Sequence, residues 1–437
     1  MPEETAPRLP RMSEQHAAQA EDHGRESAVR HRTRRMTGRD PHEQHRTATP
    51  LELLFDLTFV VAFGTAANEL AHALAEDHVG AGIVAFCFAT FGVSWAWVNF
   101  TWFASAYDTD DWVYRLTTMV QMVGVLVFAL GLHPMFTSVY DHGETLDNDV
   151  MVWGYVVMRV AMLVQWWRAG QHDPSRRGAC RTYIVSIAVA QVLWCALALV
   201  DLPVGTTFAL IVIPFLVEIG GPAYAERQRG GTPWHAHHIA ERYGLMVIIA
   251  LGEGMIGTMA SINVLAEEGI TADIGLLALA GTALTFGLWW GYFAVPSAEV
   301  LHAHRERSFA FGYGHIPLFG AIVAIGAGLH VAAYYLDGEA HLTQTGTLLT
   351  VAVPVVAATL VFYAGYAVMT RTFDVFHVVL LALTAVVIAA AVLMAMGGTG
   401  LVWCLLVLSF APWVTVIGYE AFGYRHHVEV LDDLDIG

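Results

Sequence analysis

The stretch from Pro50 to Leu70, PLELLFDLTFVVAFGTAANEL, sets two carboxylates at the start of a long apolar run. An ionised carboxylate in hydrocarbon costs roughly 2.5–3.5 kcal/mol even on lenient insertion scales, so it must face a bundle interior and find a partner. Glu52 has a local explanation. Thr49 can cap, Pro50 opens the helix, and Glu52 follows three residues after the cap, which is a capping box. Asp56 is out of the cap's reach. At about 100° per residue it lies roughly 40° from Glu52, on the same face. It reads as a paired or functional interior group.

Other titratable residues fall within apolar runs. Arg159 sits in WGYVVMRVAMLVQWW, and its guanidinium cannot deprotonate, so it needs an acceptor. Asp56 is the favoured match, with Glu218 of the sixth run next. Such a pair can be purely structural or can bind an anion or substrate. Further along, HIAERYGLMVIIALGEG carries His238, Glu241 and Glu253. Glu253 lies about 18 Å beyond Glu241 along a helix axis. The three share a stripe at different depths. His238 and Glu241 offer two metal ligands, but a zinc site needs three, so no metal and no cofactor are expected. Two acids at different depths fit a proton or cation path better. His315 reads as a satisfied packing histidine, with proton relay as the alternative. In YDTDDWVYRL, Asp108, Asp110 and Asp111 read first as a helix N-terminus. There Asp110 or Asp111 caps and Arg115 pairs with Asp111. The alternative is carboxylates collecting Mg²⁺ or a cationic group.

The elements that must hold these groups are membrane helices. Only 14% of residues are charged, 56% are hydrophobic, and the mean hydropathy is +0.52. Soluble domains average about 25% charged. Twelve runs are long enough to span, near 53–74, 81–103, 114–138, 151–168, 182–201, 205–222, 240–262, 272–295, 310–335, 345–369, 375–396 and 400–419. This gives an all-α, polytopic membrane bundle. All 22 basic residues are arginine. With alternating sides, 21 of them fall at one end, counting Arg242 among the loop residues after the sixth span, and Arg159 lies within a span. The positive-inside rule makes that end cytoplasmic and the membrane the cell's inner one, with both termini inside. The opposite loops are acidic, so the net charge of −17 implies no nucleic-acid partner. The candidate partners are membrane lipids, an unidentified small molecule or ion, and a second copy of the chain.

Residues 1–48 are polar and lack a signal-peptide core, so they read as a disordered cytoplasmic tail. No cysteine lies in an outer loop and none forms a CxxC, so no disulfide is expected. Thr49-Pro50 before Glu52 and Asp56 resembles Thr232-Pro233 before Glu241 and Glu253. Aromatic stretches Trp95 to Phe103 and Trp289 to Phe293 recur six spans apart. The pattern suggests two parallel six-helix repeats, 49–222 and 223–425, and a short tail, 426–437. The repeat can be aligned with either Glu52 or Asp56 on Glu241.

Four blocks, LELLFDLTFVVAF, YDTDDWVYRL, HIAERYGLMVIIALGEG and YGHIPLFGAIVAIGAG, resemble the bacterial low temperature requirement A family. The resemblance covers about residues 47–425 and keeps the family's block order. It implies a multi-spanning membrane protein and assigns no substrate or reaction.

Two function classes follow. Twelve spans with interior carboxylates and an interior arginine favour a small-solute or ion permease or a proton-coupled transporter. Acids near one face with an aromatic interior would also suit an intramembrane enzyme acting on a lipid or isoprenoid by acid catalysis. No nucleophile motif or phosphate loop supports that enzyme. A scaffold or sensor is the residual class. A polar cavity open to both sides favours transport, and a blind pocket favours an enzyme.

The arginine bias makes a direct prediction about topology. In a cysteine-free background, cysteines at positions 76 and 339 should react with an impermeant reagent from outside, and one at 176 should not. Labelling of position 176 from outside would refute the orientation.

Overall fold

The computed structural model describes residues 33–43, 46–140, 145–228, 230–267, 271–371 and 375–423. These form twelve helices long and apolar enough to cross a membrane: α1 Pro50–Ala75, α2 Val79–Tyr107, α3 Trp112–Tyr140, α4 Asp149–His172, α5 Pro174–Ala198, α6 Val204–Glu226, α7 Ala236–Ala266, α8 Ala272–Ala303, α9 Arg305–Leu336, α10 Gln344–Thr370, α11 Val375–Met396 and α12 Leu401–Ala421. There is no regular strand among the described residues. Each expected span is present, including the division between the last two at Gly397–Gly400. Of the helices that start at the arginine-rich end, α1 and α3 are capped by side chains, Thr49 and Asp111.

The interior is built on α9, the most deeply buried span, with 72% of its most apolar window inside the protein. It packs on α7, α10 and α1, while α3 pairs with α4 and α5 with α6. Small residues let these helices approach closely. A side chain on Gly326 of α9 would lie 2.6 Å from the carbonyl carbon of Glu253 on α7. Gly154 of α4 sits against the backbone of Phe128 on α3 in the same way.

Helices α1, α7 and α9 run parallel. Glu52 of α1 meets His238 of α7, and twelve residues later Gly64 meets Glu253. Tyr243 of α7 meets His315 of α9 edge to face, and further along Ser261 donates to the Leu329 carbonyl. All three helices therefore start at the arginine-rich end.

The tail reading needs correction over its described part. Residues 1–32 and 44–45 lie outside the described residues. Residues 33–43 and 46–48 pack across the arginine-rich end. Met36 is fully buried and donates its N–H to His172 Nδ1. Arg39 N–H bonds the Ala106 carbonyl, and buried Arg46 bonds the Ala104 carbonyl. Polar composition hid this strap, because its anchors are backbone groups and single side chains rather than an apolar stripe.

Candidate functional site

Helix α1 begins with the predicted capping box. Thr49 Oγ1 accepts from the Glu52 N–H, and the Glu52 carboxylate accepts from the Thr49 N–H at 2.7 Å. The same carboxylate also does interhelical work. Its Oε1 lies 2.9 Å from Arg242 Nη1 and 3.1 Å from His238 Nε2. One helical turn on, Asp56 Oδ1 accepts from Arg242 Nη2 at 2.5 Å and from Trp97 Nε1 at 2.7 Å. The Arg242 guanidinium lies 5.7 Å from the Trp97 ring centre. Glu52, Asp56, His238 and Arg242 are all shut away from the surface.

This arrangement overturns the expected pairing of Asp56 with Arg159. Arg242, counted as a loop arginine, is inside the bundle and takes both carboxylates. Its place at i+4 from His238 puts both on the face of α7 that meets α1. Arg159 instead pairs with Glu218, the second choice from sequence. Glu218 also accepts from Trp95 Nε1 at 2.8 Å, the Tyr155 hydroxyl at 2.9 Å and Gln191 Nε2 at 3.2 Å. Four donors on one buried carboxylate make this a structural lock joining α2, α4, α5 and α6.

Glu241 stands apart from the cluster. It is exposed and accepts the Ala48 N–H at 3.2 Å, so it forms no metal pair with His238. Among the described residues no group of three or more histidine, cysteine, aspartate or glutamate side chains is placed to hold a metal. Glu253 is 2% exposed in the seam between α7, α1 and α9. Its Oε1 lies 3.1 Å from where a side chain on Gly64 would begin. Among the described residues no basic side chain pairs with it. His315 uses both ring nitrogens, on the Tyr292 hydroxyl at 2.9 Å and the Phe311 carbonyl at 2.7 Å. It is a satisfied packing group beside the cluster.

The acidic run divides its work among structural tasks. Asp111 caps α3 through the Tyr114 N–H and pairs with Arg168, while accepting the Arg34 N–H of the strap. Burial opposes its ionisation, but those bonds prevail and hold its carboxyl below the ordinary aspartate range. Arg115 pairs with Asp110 at 2.7 Å rather than with Asp111, because Asp111 turns inward to Arg168. Asp108 is buried under the strap, near Arg46. Burial, with the nearby Glu52 charge, pushes its pKa up to about 6, against the partial relief of Arg46.

The cluster sets two carboxylates against one guanidinium and the His238 ring, with the buried Arg46 charge of the strap near Glu52. Asp56 Oδ2, His238 Nδ1 and the Tyr114 hydroxyl are buried without a hydrogen-bond partner. At the arginine-rich end a cavity of about 700 Å³ has walls that include Arg46, His235, Glu241 and His302, and it stops short of the cluster itself. A second cavity of about 790 Å³ lies between α1–α2 and α9–α10 and is apolar.

The charged seam is built from the sequence blocks that hold Glu52 to Asp56 and His238 to Glu253. The family model described as bacterial low temperature requirement A protein matches residues 47–411, which contain all of them. The chain belongs to this family. An uncharacterized protein of Rhizobium meliloti (strain 1021) is similar, at 28% identity over 317 residues, covering 68% of this chain and 72% of that protein. No solved structure matches. Membership makes the chain a multi-pass membrane protein and assigns no chemistry to the seam.

The buried Asp108 carries a pH prediction. Its carboxyl holds a proton more tightly folded than unfolded, so stability is greatest below the ordinary value of 3.8 and is lost as pH rises to about 6. Asp108→Asn should flatten that part of the profile, measured as thermal unfolding of the detergent-solubilised protein. An unchanged slope would show that Asp108 ionises freely.

Proposed function

We propose that this family member is a proton-coupled permease for a small solute or ion. In this reading the α1–α7 seam carries the coupling proton. The observation that carries it is Glu253, a buried carboxylate with no basic partner among the described residues, lying in line with Glu52 and Asp56. A lone buried carboxylate holds a proton or a bound cation, because the bare ion is too costly in a low-dielectric interior. Glu52, Asp56 and His238 supply further proton-exchanging groups towards the arginine-rich end. The open cavity beside Glu241 leads towards the seam from that end but stops short of its buried acids, and the close α7–α9 packing closes the path beyond Glu253. The chain is then in a state occluded at the seam.

The seam joins one helix from each proposed six-helix half. That is where parallel-repeat transporters place their sites, and it supports the repeat reading of 49–222 and 223–425. Both termini lie in the cytoplasm in this account. The enzyme reading has less support. Glu52, Asp56 and Glu253 line neither large cavity, and the apolar one has no carboxylate or histidine on its wall.

Glu253→Gln keeps the shape and removes the titration. In vesicles with an entrapped pH dye, the native protein should take up protons under an imposed potential, with a rate that varies across roughly pH 5 to 8. The variant should fold and give the flux of protein-free vesicles. An unchanged pH profile in the variant would overturn the role of Glu253.

A further inference from the structure

The apolar cavity has features that the permease reading leaves unused. It is bounded by α1 and α2 on one side and by α9 and α10 on the other, with Ile219 of α6 at its floor. Its volume of about 790 Å³ falls in the range of small-molecule sites. On α2 the wall runs from Val79 to Trp95, which is about 24 Å along the axis. The slot therefore lies along the membrane normal for most of a bilayer's hydrocarbon depth.

The chemistry of the wall selects its occupant. No charged side chain lines it. Each hydroxyl or indole on the wall is already bonded within the protein. Thr90 donates to the Phe86 carbonyl at 2.7 Å, and Thr350 to the Thr347 carbonyl at 2.7 Å. Trp95 donates to Glu218 at 2.8 Å, and Tyr313 to the Ile219 carbonyl at 3.1 Å. Among the described residues the Cys87 thiol, a weak donor, is the one polar side-chain group on the wall with no bond within the protein, and a dry apolar cavity takes apolar matter. The concavity comes from small and kinked positions, Pro317, Gly320 and Ala321 on α9 and Gly346, Pro354 and Ala357 on α10. The slot is also continuous with the outer apolar surface, because Ile83, Leu349 and Val353 line it and are exposed.

We infer that this cleft is a binding site for one acyl chain of a membrane phospholipid, seated between the two halves of the bundle. The inference is independent of what the charged seam does. The bound chain fills the interface between α1–α2 and α9–α10, so it sits where a rearrangement of one half against the other would be felt.

The test uses the full chain reconstituted in phosphatidylcholine vesicles doped with phosphatidylcholine that carries a diazirine on one acyl chain. After photolysis, peptide mass spectrometry should find adducts concentrated on Ile83–Trp95, Ile316–Ala324 and Leu349–Ala357. Labelling there should exceed that of the more exposed lipid face of α5, at Val185 and Val192. Filling the slot with Ala321→Trp or, separately, Ala357→Trp should lower cleft labelling about tenfold and leave α5 labelling unchanged. The native chain alone decides the matter if either variant fails to fold. Labelling that simply follows exposure over all helices, or that persists in a folded filled variant, would overturn the site.

Discussion

The ion pair that Arg242 makes with Glu52 and Asp56 holds the rest of the arrangement in place. A guanidinium cannot shed its charge, so once α7 carries it into the bundle the neighbouring helix must meet it with carboxylates. Leaving such a charge unpaired costs about 3–5 kcal/mol, which fixes the register of α1 against α7. With that register set, the Thr49 cap, the Trp97 indole and the His238 ring each reach their partner without further adjustment. Gly64 and Glu253 are then brought together deeper along the same seam.

Three of the buried charged sites among the described residues differ in their hydrogen bonding. Glu218 is saturated by four donors and ties four helices together. Asp111 is held by Arg168, by a helix N-terminus and by the strap, which anchors residues near Arg34 to the bundle end. The seam is different. Its carboxylates are not saturated, because two acids share one arginine, Asp56 Oδ2 has no donor, and Glu253 stands alone beyond. A saturated site resists change, whereas an unsaturated one can exchange a proton or accept a ligand. That contrast is why function is assigned to the seam and structure to the other two.

Much of the fold was legible because hydrocarbon imposes length and polarity on each helix, and glycine or acidic punctuation marks the joins. Asp56 and Arg159 were recognisable as interior groups for the same reason. Their partners were not. Arg242 lies within two turns of a helix start, where an arginine ordinarily snorkels to the interface, and only the packing of α7 on α1 turns it inward. Glu218 could be named as a candidate but not chosen over Asp56, since choosing requires knowing which helices touch. The strap was hidden because its hold is made by backbone amides, Met36 and Arg46, which leave no periodic pattern. Glu241 looked equal to Glu253 in sequence, yet it points outward, because it lies on the opposite side of Arg242 from the seam.

Asp56 and Arg242 join α1 to α7, and a double-mutant cycle on these two residues tests that link most directly. Unfolding free energies of Asp56→Asn, Arg242→Met and the double variant should give a coupling of about 0.5–3 kcal/mol or more, as for contacting charged groups. The parallel cycle on Asp56 and Arg159 should be additive. Coupling between Asp56 and Arg159, with none between Asp56 and Arg242, would contradict the account.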